Sequence, residues 1–437
     1  MKTNRTAIRI ALMILAVVIP FQTYAYDFNQ DGIYYNIRSE EDQTLEVTFP
    51  YDEIDDLIEK GNTYEGEIII PTRVLHNHKT YRVVAISMFT FCVSEELTGI
   101  FIPASVTEIG VGAFDHCRNL SHIDVDNDNI VYTSDDGILY DKNMHTLIRC
   151  PQSGKLSVDI PASVTEIGDY AFSHCTLNSI TIPNSVTKIG DCVFMGCSRL
   201  KSIDIPISVV EIGQQTFSNC TGLTTVSIPN TISEITFGMF ELCLSLENIS
   251  IPTTVTEIKG YAFRNCYQLN NISLPNSVTK IWWGAFQCCE GLTSVTIGNS
   301  VKEIENYAFL ACTALTKIYC KMDEPVSCTP DFPDNVLMDC ILYVPVGTKG
   351  KYEKTTPWRD FWNIVEMDFS GVDEVAEDGG DAIRVENGRI VTEGDALTEV
   401  LDLQGRTVYR GYDRVVDNLP SGLYVVRSSN NTVKIKL

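Results

Sequence analysis

The sequence is poor in basic residues, in histidine and in tryptophan. Its 437 residues include 33 Lys and Arg against 57 Asp and Glu, a formal net charge of −24, and only 6 histidines and 4 tryptophans. A strongly negative surface repels nucleic acid and anionic lipid, so neither is expected as a partner. The simpler interpretation of the charge is a soluble protein that works outside the cell.

Sequence motifs of common enzymes are also missing. There is no G-x-x-x-x-G-K-[ST], no G-x-G-x-x-G after a strand, no H-E-x-x-H and no G-x-S-x-G. No C-x-x-C pair occurs, which leaves a zinc or thioredoxin-like site without support. We therefore expect no enzyme activity, no cofactor and no bound metal.

Two groups of residues have the chemistry of metal ligands without the spacing of a known motif. His76 and His78 could share one strand face, and clustered aspartates could offer oxygen atoms to calcium. These aspartates are Asp124, Asp126, Asp128, Asp135 and Asp136. In both cases a solvated loop is favoured over a metal site. His116 and His174, each one residue before a cysteine, are expected to be exposed.

Only one long apolar run occurs, and it lies at the N-terminus. Three basic residues precede the apolar stretch from Ile10 to Phe21, and Thr23-Tyr24-Ala25 resembles a cleavage site. The run is shorter than the roughly 20 residues of a membrane span. Residues 1–25 are therefore predicted to be a signal peptide, with no transmembrane segment after its removal. The chain is expected at the cell surface or outside the cell, with the periplasm as the fallback.

A repeat of about 23 residues occupies the middle of the chain. It reads I-x-I-P-x-S-V-T-x-I-G-x-x-A-F-x-x-C-x-x-L, and a fixed period of this size indicates a solenoid whose units pack only on their neighbours. One phenylalanine and one cysteine per unit are expected to form a buried structural ladder. Its members are Phe194, Phe217, Phe240, Phe263 and Phe286 with Cys197, Cys220, Cys243, Cys266 and Cys289.

Each unit divides into three short pieces. The alternating segment at Leu200, Ile203 and Ile205 predicts a half-buried strand, which the following proline ends. The V-T-x-I segment predicts a second strand, after which glycines such as Gly190 permit a turn. The A-F-x-x-C segment places Phe and Cys on one face of a single helical turn.

The 15 cysteines would suggest disulfides in an exported protein. A cysteine that recurs once per unit stacks on its copies and behaves as a small buried apolar group, so the ladder cysteines are interpreted as core thiols. Cys320, Cys328 and Cys340 lie beyond the last repeat and are better disulfide candidates.

Polar residues between the apolar strand positions predict a broad exposed face for ligands. Asp204, Asn248, Asn271, Lys317 and Tyr319 belong to this face, and no aromatic row typical of sugar binding accompanies them. Trp282 and Trp283 break the repeat and are a second candidate for ligand contact, although packing on a neighbouring coil also explains them. A mostly acidic column is either a solvated face or a steering surface for a basic partner. It comprises Glu108, Glu166, Lys188, Glu211, Glu234, Glu257, Lys280 and Glu303.

The repeat resembles the leucine-rich repeat of BspA-like, treponemal-type surface proteins. The resemblance implies a mainly β, right-handed solenoid of about nine units over residues 86–318, with a hairpin insertion at about 126–157. Residues 26–85 and 319–368 would cap it at the two ends, and an acidic linker at 369–382 would follow. The resemblance also implies binding or adhesion to a host or neighbouring-cell surface protein. The chain is expected to be a monomer.

The last segment, residues 383–437, resembles the carboxy-terminal sorting domain of the type IX secretion route. That resemblance implies a small β-sandwich, passage across an outer membrane, removal of the tail and attachment to the cell surface. An ordinary β-sandwich accessory domain is the other interpretation. A structural or glycan-contacting component of the cell envelope is the alternative to protein binding for the whole chain.

Overall fold

The computed structural model describes residues 26–51, 54–328 and 332–369, together with seven short strands between 383 and 436. The predicted signal peptide, residues 1–25, lies outside the described residues, as do residues 370–382 of the predicted linker. The chain divides into two compact units, Met1–Leu246 with Lys259–Tyr267 and Glu247–Ile258 with Gln268–Leu437. Among the described residues, no helix has both the length and the apolar character needed to span a membrane.

The first unit begins with strands that precede the repeat. They are β1 (Phe28–Gln30), β2 (Ile33–Ser39), β3 (Thr44–Thr48), β4 (Glu65–Ile69), β5 (Arg73–His76) and β6 (Lys79–Ile86), with helix α1 (Ile54–Lys60) between β3 and β4. Neighbouring strands in β1-β2-β3 and β5-β6 are antiparallel, whereas β3 and β6 pair in parallel. Their apolar faces bury Tyr35, Leu45, Val47 and Val83.

The remaining strands of the first unit are the short repeat strands and the three strands of the hairpin insertion. They are β7 (Glu96–Ile102), β8 (Glu108–Ile109), β9 (His122–Val125), β10 (Tyr132–Asp135), β11 (Ile138–Asp141), β12 (Thr146–Arg149), β13 (Glu166–Ile167), β14 (Lys188–Ile189), β15 (Ser202–Asp204), β16 (Glu211–Ile212), β17 (Thr225–Ser227) and β18 (Glu234–Ile235). Parallel pairing joins β4-β7-β9, β12-β13-β14-β16 and β15-β17, while β10-β11-β12 are antiparallel.

The second unit contains two parallel sheets and two antiparallel groups. Its elements are β19 (Glu257–Ile258), β20 (Asn271–Ser273), β21 (Lys280–Ile281), β22 (Ser294–Ile297), β23 (Glu303–Ile304), β24 (Lys317–Cys320), α2 (Asp334–Asp339), β25 (Ile341–Pro345), α3 (Lys349–Tyr352), a 3₁₀ turn (Trp358–Asp360) and β26 (Asn363–Met367). Strands β19-β21-β23 form one parallel set, and β20-β22-β24-β25-β26 form a five-stranded parallel sheet.

The described end of the chain consists of β27 (Ile383–Glu386), β28 (Arg389–Thr392), β29 (Thr398–Asp402), β30 (Thr407–Gly411), β31 (Val415–Val416), β32 (Leu423–Ser428) and β33 (Asn431–Lys436). These strands form the antiparallel groups β27-β28-β31 and β30-β29-β32-β33.

The described residues thus form a mainly β solenoid of about 12 turns with a spacing of about 23 residues, which confirms the predicted fold class in outline. The expected number of about nine units is not confirmed. The larger number has a simple cause: strands outside the consensus extend the stacks, as β4 does on β7 and β25 does on β24.

The A-F-x-x-C segment consists of turns, so the expected helical turn is wrong. Cys192 and Gly196 have positive φ angles of 56° and 72°. The Cys197 N–H donates to the Phe194 carbonyl at 3.0 Å, as in a single helical turn. The two left-handed residues, four positions apart, prevent a helix from forming around it. Alternate N–H groups donate instead to the next coil, as Phe194 does to the Thr216 carbonyl at 2.8 Å.

Gly190 is required for close packing of coils rather than for a left-handed turn. Its φ lies outside the left-handed region, and a Cβ at this position would be 2.3 Å from Asp169 Oδ1 and 2.8 Å from the Asp169 nitrogen. The absence of a side chain therefore lets one coil approach the one before it.

Candidate functional site

The buried interior of the repeats is a stack of phenylalanines with a row of thiols beside it. Phe194, Phe217 and Phe240 are fully buried, with ring centroids 5.5 and 5.6 Å apart and planes within 4°. The Cys220 thiol donates to the Phe194 carbonyl of the preceding coil at 3.0 Å. Burial raises the pKa of Cys220 to about 12, so this thiol is protonated at neutral pH. The interior therefore holds the coils together, and Cys220 contributes to it as a neutral thiol.

The remaining predicted ladder residues occupy the same positions in their own units. Phe263 stacks on Phe240 with centroids 5.4 Å apart, and Phe286 stacks on Phe309 at 5.3 Å. Cys197, Cys243, Cys266 and Cys289 are fully buried.

The disulfide expected near the end of the solenoid is absent. Cys320, Cys328 and Cys340 are unbridged thiols. Each is buried in the apolar end of the second unit, and burial raises the pKa of each to about 12. The expectation was wrong because these side chains fill the apolar interior.

Members of the predicted polar face lie in both units. In the first unit, Asp204 lies in register with Ser227 on β15 and β17, and both side chains are exposed. In the second unit, the Asn271 amide Nδ2 is 3.3 Å from Asn248 Oδ1. Lys317 continues the Asn271 column on β24.

Tyr319 belongs to an apolar and aromatic row that sequence reasoning did not find. Parallel pairing aligns Thr296, Tyr319, Tyr343 and Val365 across β22, β24, β25 and β26. The rings of Tyr319 and Tyr343 stack with centroids 4.8 Å apart and planes within 8°. Trp362, just before β26, is 75% exposed. Tyr343 was missed because it lies beyond the last consensus repeat; its place in the L-Y-V-P strand was the available signal.

Trp282 and Trp283 lie beside a different set of strands, β19-β21-β23. Trp282 is half-buried: its indole N–H donates to Glu257 Oε2 at 2.7 Å, and the Lys280 ammonium lies 3.8 Å from its ring centroid. Trp283 is 38% exposed, and its backbone N–H donates to Glu305 at 3.1 Å. The structure therefore does not bring the tryptophans together with Lys317 and Tyr319 on one strand set.

The predicted acidic column is interleaved with positive charges. Lys188 lies 3.2 Å from Glu166 and 3.8 Å from Glu211. Lys280 lies 3.1 Å from Glu303. These exposed pairs neutralise much of the column locally, which favours a solvated face over a steering surface.

A buried polar cluster lies where the hairpin insertion meets the repeats. Strand β12 takes the place of a repeat strand beside β13. The run of turns that follows in a regular coil is missing after β12, which leaves a gap in the stack of coils. The Arg149 guanidinium, 3% exposed as a residue, fills this gap. It donates to the carbonyls of Phe114 at 3.0 Å, Ser173 at 3.3 Å and Tyr170. Arg149 thus supplies donors to carbonyls of the coils on both sides of the insertion.

Asp115, His116 and His174 complete this cluster. Asp115 Oδ2 is 2.8 Å from His116 Nδ1, and Asp115 Oδ1 accepts from the Ser173 hydroxyl at 2.8 Å. Arg149 Nη2 lies 3.7 Å from the same Oδ1. The two imidazole rings are in contact, with centroids 3.8 Å apart and a tilt of 47°.

The predicted exposure of His116 and His174 is wrong. His116 is only 5% exposed, and His174 is partly buried with its Nε2 atom inaccessible. Burial and the neighbouring His116 lower the pKa of His174 to about 3. Burial opposes ionisation of Asp115, but His116, His174 and Arg149 outweigh it and hold the pKa of Asp115 well below its usual range.

Asp115, His116 and His174 each offer one possible metal-ligand atom, and these atoms lie within 4.8 Å of one another. Among the described residues, this is the one group of three or more such side chains. The aspartates at 124–136 and the pair His76 and His78 form no comparable group within that part of the chain.

Six copies of the BspA type leucine rich repeat region match the chain over residues 78–155, 152–259 and 233–325. A solved leucine-rich repeat protein from Eubacterium ventriosum is 21% identical, with a TM-score of 0.50, over 67% of this chain and 95% of that one. A leucine rich cell surface protein from Faecalibacterium prausnitzii is 23% identical, with a TM-score of 0.34, over 69% and 96%. A leucine-rich repeat protein from Bacteroides ovatus is 24% identical, with a TM-score of 0.35, over 78% and 100%. No curated protein matches the sequence.

Proposed function

The chain belongs to the BspA type leucine rich repeat family, a family of repeat scaffolds, and on that premise we propose that it is an exported surface protein that binds a protein partner. The proposed contact surface is the outer face of the sheet β20-β22-β24-β25-β26. The partner is a host or neighbouring-cell surface protein, and the chain acts as a monomer without enzyme activity. The stacked pair Tyr319 and Tyr343 is the observation that carries this proposal.

Tyrosine on a rigid sheet is well suited to a protein interface. Tyrosine presents a large amphipathic surface and loses little conformational entropy when it is already held in place. Here Tyr319 and Tyr343 are held by each other, by Ile318 and Leu342 buried beneath them, and by the parallel hydrogen bonds of β24 and β25. Ser294 and Lys317, two positions before Thr296 and Tyr319 on the same strands, add a polar edge beside the row, as in the rim of an interface.

Glycan binding is supported less well by the same geometry. Sugar recognition by stacking needs an exposed aromatic ring face. The faces of Tyr319 and Tyr343 are turned toward each other along the sheet, with 4.8 Å between centroids. Ring edges and hydroxyl groups are then left for the partner, which suits the varied polar and apolar surface of a protein.

Export and surface attachment form the second part of the proposal. The N-terminal segment supports export, and residues 383–437 support the type IX route through their resemblance to its sorting domain, which would be a small β-sandwich. Protease shaving of intact cells tests this part. We expect external cleavage of the full-length chain and protection of a chain that ends at Ser370. Protection of both would refute surface presentation.

The binding surface is tested with a photo-reactive phenylalanine analogue placed at Tyr343 of the full-length protein. The probe is an array of purified host and bacterial surface proteins, and the matched control carries the analogue at Ile207, which is 72% exposed in the first unit. We expect cross-linking from Tyr343 and not from Ile207. Equal cross-linking at both positions, or none at either, would count against the proposed face.

Affinity for the protein captured at Tyr343 then distinguishes the two candidate surfaces. We expect Tyr343→Ala to weaken binding by about 30-fold, the effect of a central aromatic contact, and Trp283→Ala to change it by less than about 3-fold. A larger effect of Trp283→Ala would move the binding surface to the strands β19-β21-β23.

A further inference from the structure

We propose that Asp115, His116 and His174 bind a divalent transition metal ion, with Zn²⁺ as the representative, at the joint between the hairpin insertion and the repeats. The proposal is independent of the function proposed above. It rests on residues that no repeat consensus requires and that the fold nevertheless brings together inside the first unit.

The donor atoms have the composition of a zinc-type site. Two imidazoles and one carboxylate, each offering an atom within 4.8 Å of the others, are ligands that Zn²⁺ accepts in sites with three protein ligands. Imidazole nitrogen favours Zn²⁺, Cu²⁺ or Ni²⁺, whereas Ca²⁺ and Mg²⁺ require several oxygen ligands. Asp115 is the one carboxylate in this group, so the site has too few oxygen ligands for Ca²⁺ or Mg²⁺.

The buried nitrogen of His174 is the second observation that indicates a ligand. His174 Nε2 is inaccessible and has no hydrogen-bond partner within the protein. Buried polar atoms are nearly always satisfied, so an unsatisfied nitrogen beside a carboxylate suggests a missing partner. Asp115 Oδ2 meanwhile lies 2.8 Å from His116 Nδ1, so the carboxylate is in direct reach of the imidazole proposed as its fellow ligand.

The surrounding coils make room for both rings. His116 and His174 occupy the left-handed position before the ladder cysteine, with φ angles of 57° and 58°. The same position in the next coil is Gly196, where a Cβ would lie 2.2 Å from His174 Nδ1. The glycine thus leaves the space that the His174 ring occupies.

The positive charge of Arg149 disfavours a bound cation, but the position of the guanidinium weakens this repulsion. Its Nη2 lies 3.7 Å from Asp115 Oδ1, while the opposite oxygen, Oδ2, faces His116. Its N–H groups are also directed at three backbone carbonyls. We therefore expect a micromolar site, with a Kd of about 1–10 µM, rather than the tight binding of a structural zinc finger.

Calorimetric titration of the full-length chain, freed of metal with EDTA, tests the site. We expect one Zn²⁺ per chain and no comparable binding of Ca²⁺. His174→Gln should weaken Zn²⁺ binding by more than about 10-fold, since even loss of a residue that only orients a ligand costs this much. His145→Gln, which changes an exposed histidine of the same hairpin insertion, should bind as the natural chain does.

A second measurement does not depend on any variant. Co²⁺ added to the natural chain should give the intense visible bands of a four- or five-coordinate nitrogen site, and Zn²⁺ should abolish them. Only weak octahedral bands, no binding of Zn²⁺ at about 100 µM, or equal binding by His174→Gln and the natural chain would overturn the proposal. Circular dichroism of His174→Gln decides whether that variant is folded and therefore informative.

Discussion

Alkaline pH is expected to unfold this protein through its cysteine ladder. The Cys220 thiol is fully buried, and its pKa rises from 9.0 to about 12 because burial disfavours the thiolate. In the unfolded chain the same thiol ionises near its ordinary pKa. Stability from this group is therefore complete below pH 9 and is lost as the pH rises toward 12.

The size of the effect follows from the number of thiols. Each pH unit above 9 removes about 1.4 kcal/mol per buried thiol, so pH 10.5 costs about 2 kcal/mol for Cys220 alone. Burial also raises the pKa values of Cys117 and Cys266 in the same unit. Together these three thiols would lose about 6 kcal/mol, which is comparable with the whole stability of a typical domain.

Urea unfolding followed by circular dichroism at pH 8.0, 9.5 and 10.5, with a reducing agent present, measures this loss. Cys220→Ala should be less stable at pH 8.0 by about 1–2 kcal/mol, because it loses the S–H bond to the Phe194 carbonyl and leaves a small cavity. Its stability should then fall less steeply with pH, by about 1.4 kcal/mol per unit. Ile207→Ala, at an exposed position of the same repeat, should keep the natural slope.

A free energy of unfolding that stays constant between pH 8.0 and 10.5 would refute this reasoning. So would a Cys220→Ala variant with the slope of the natural chain, since the thiol could not then be the group that ionises on unfolding.

Three further predictions concern packing and buried polar groups. Phe217→Ala should lower the free energy of unfolding by about 3–5 kcal/mol in a urea titration, because the ring stacks at 5.5 and 5.6 Å on both neighbouring coils; Ile207→Ala should stay within about 0.5 kcal/mol. Arg264→Met should lower the free energy of unfolding by about 3–5 kcal/mol in the same assay, because the Glu241 carboxylate, 4% exposed, loses the guanidinium that pairs with it. A smaller loss of stability than for Glu241→Gln would contradict this. Asn129→Ala should lower the free energy of unfolding by about 3 kcal/mol and speed amide hydrogen exchange in the hairpin insertion. The reason is that the Asn129 side-chain amide donates to two carbonyls at 3.0 and 2.9 Å and accepts from two N–H groups at 2.9 Å. Unchanged hydrogen exchange would contradict this.

The solenoid could be predicted from the sequence because its main signal is repeated. Leu200, Ile203 and Ile205 recur with the same spacing in neighbouring coils, and strand β15 lies where their alternation indicates. Because the same pattern occurs in every coil, an unusual residue in one coil does not change the predicted strand. The helical turn was wrong because spacing alone cannot distinguish one turn of helix from turns with left-handed residues: Phe194 and Cys197 lie three apart in either.

The candidate sites were harder to predict because they depend on non-repeated contacts. His116 and His174 were expected to be exposed because they share one repeat position, but the coils that carry them meet across the hairpin insertion and bring the two rings into contact. Their contact with Asp115 therefore depends on the path of the insertion. Tyr343 was missed for a related reason, since its partner Tyr319 lies 24 residues earlier and outside a shared consensus.

The position of Arg149 has a consequence for how the length of such chains can change. From Lys188 to Leu246 each coil presents to the next the same carbonyls, thiols and rings, so recombination could delete or duplicate one whole period there and restore these repeated contacts. At the insertion, one arginine with no equivalent in the regular coils donates to the carbonyls of Phe114, Tyr170 and Ser173. Gain and loss of coils should therefore be confined to the regular stretch, with the insertion kept as a fixed boundary.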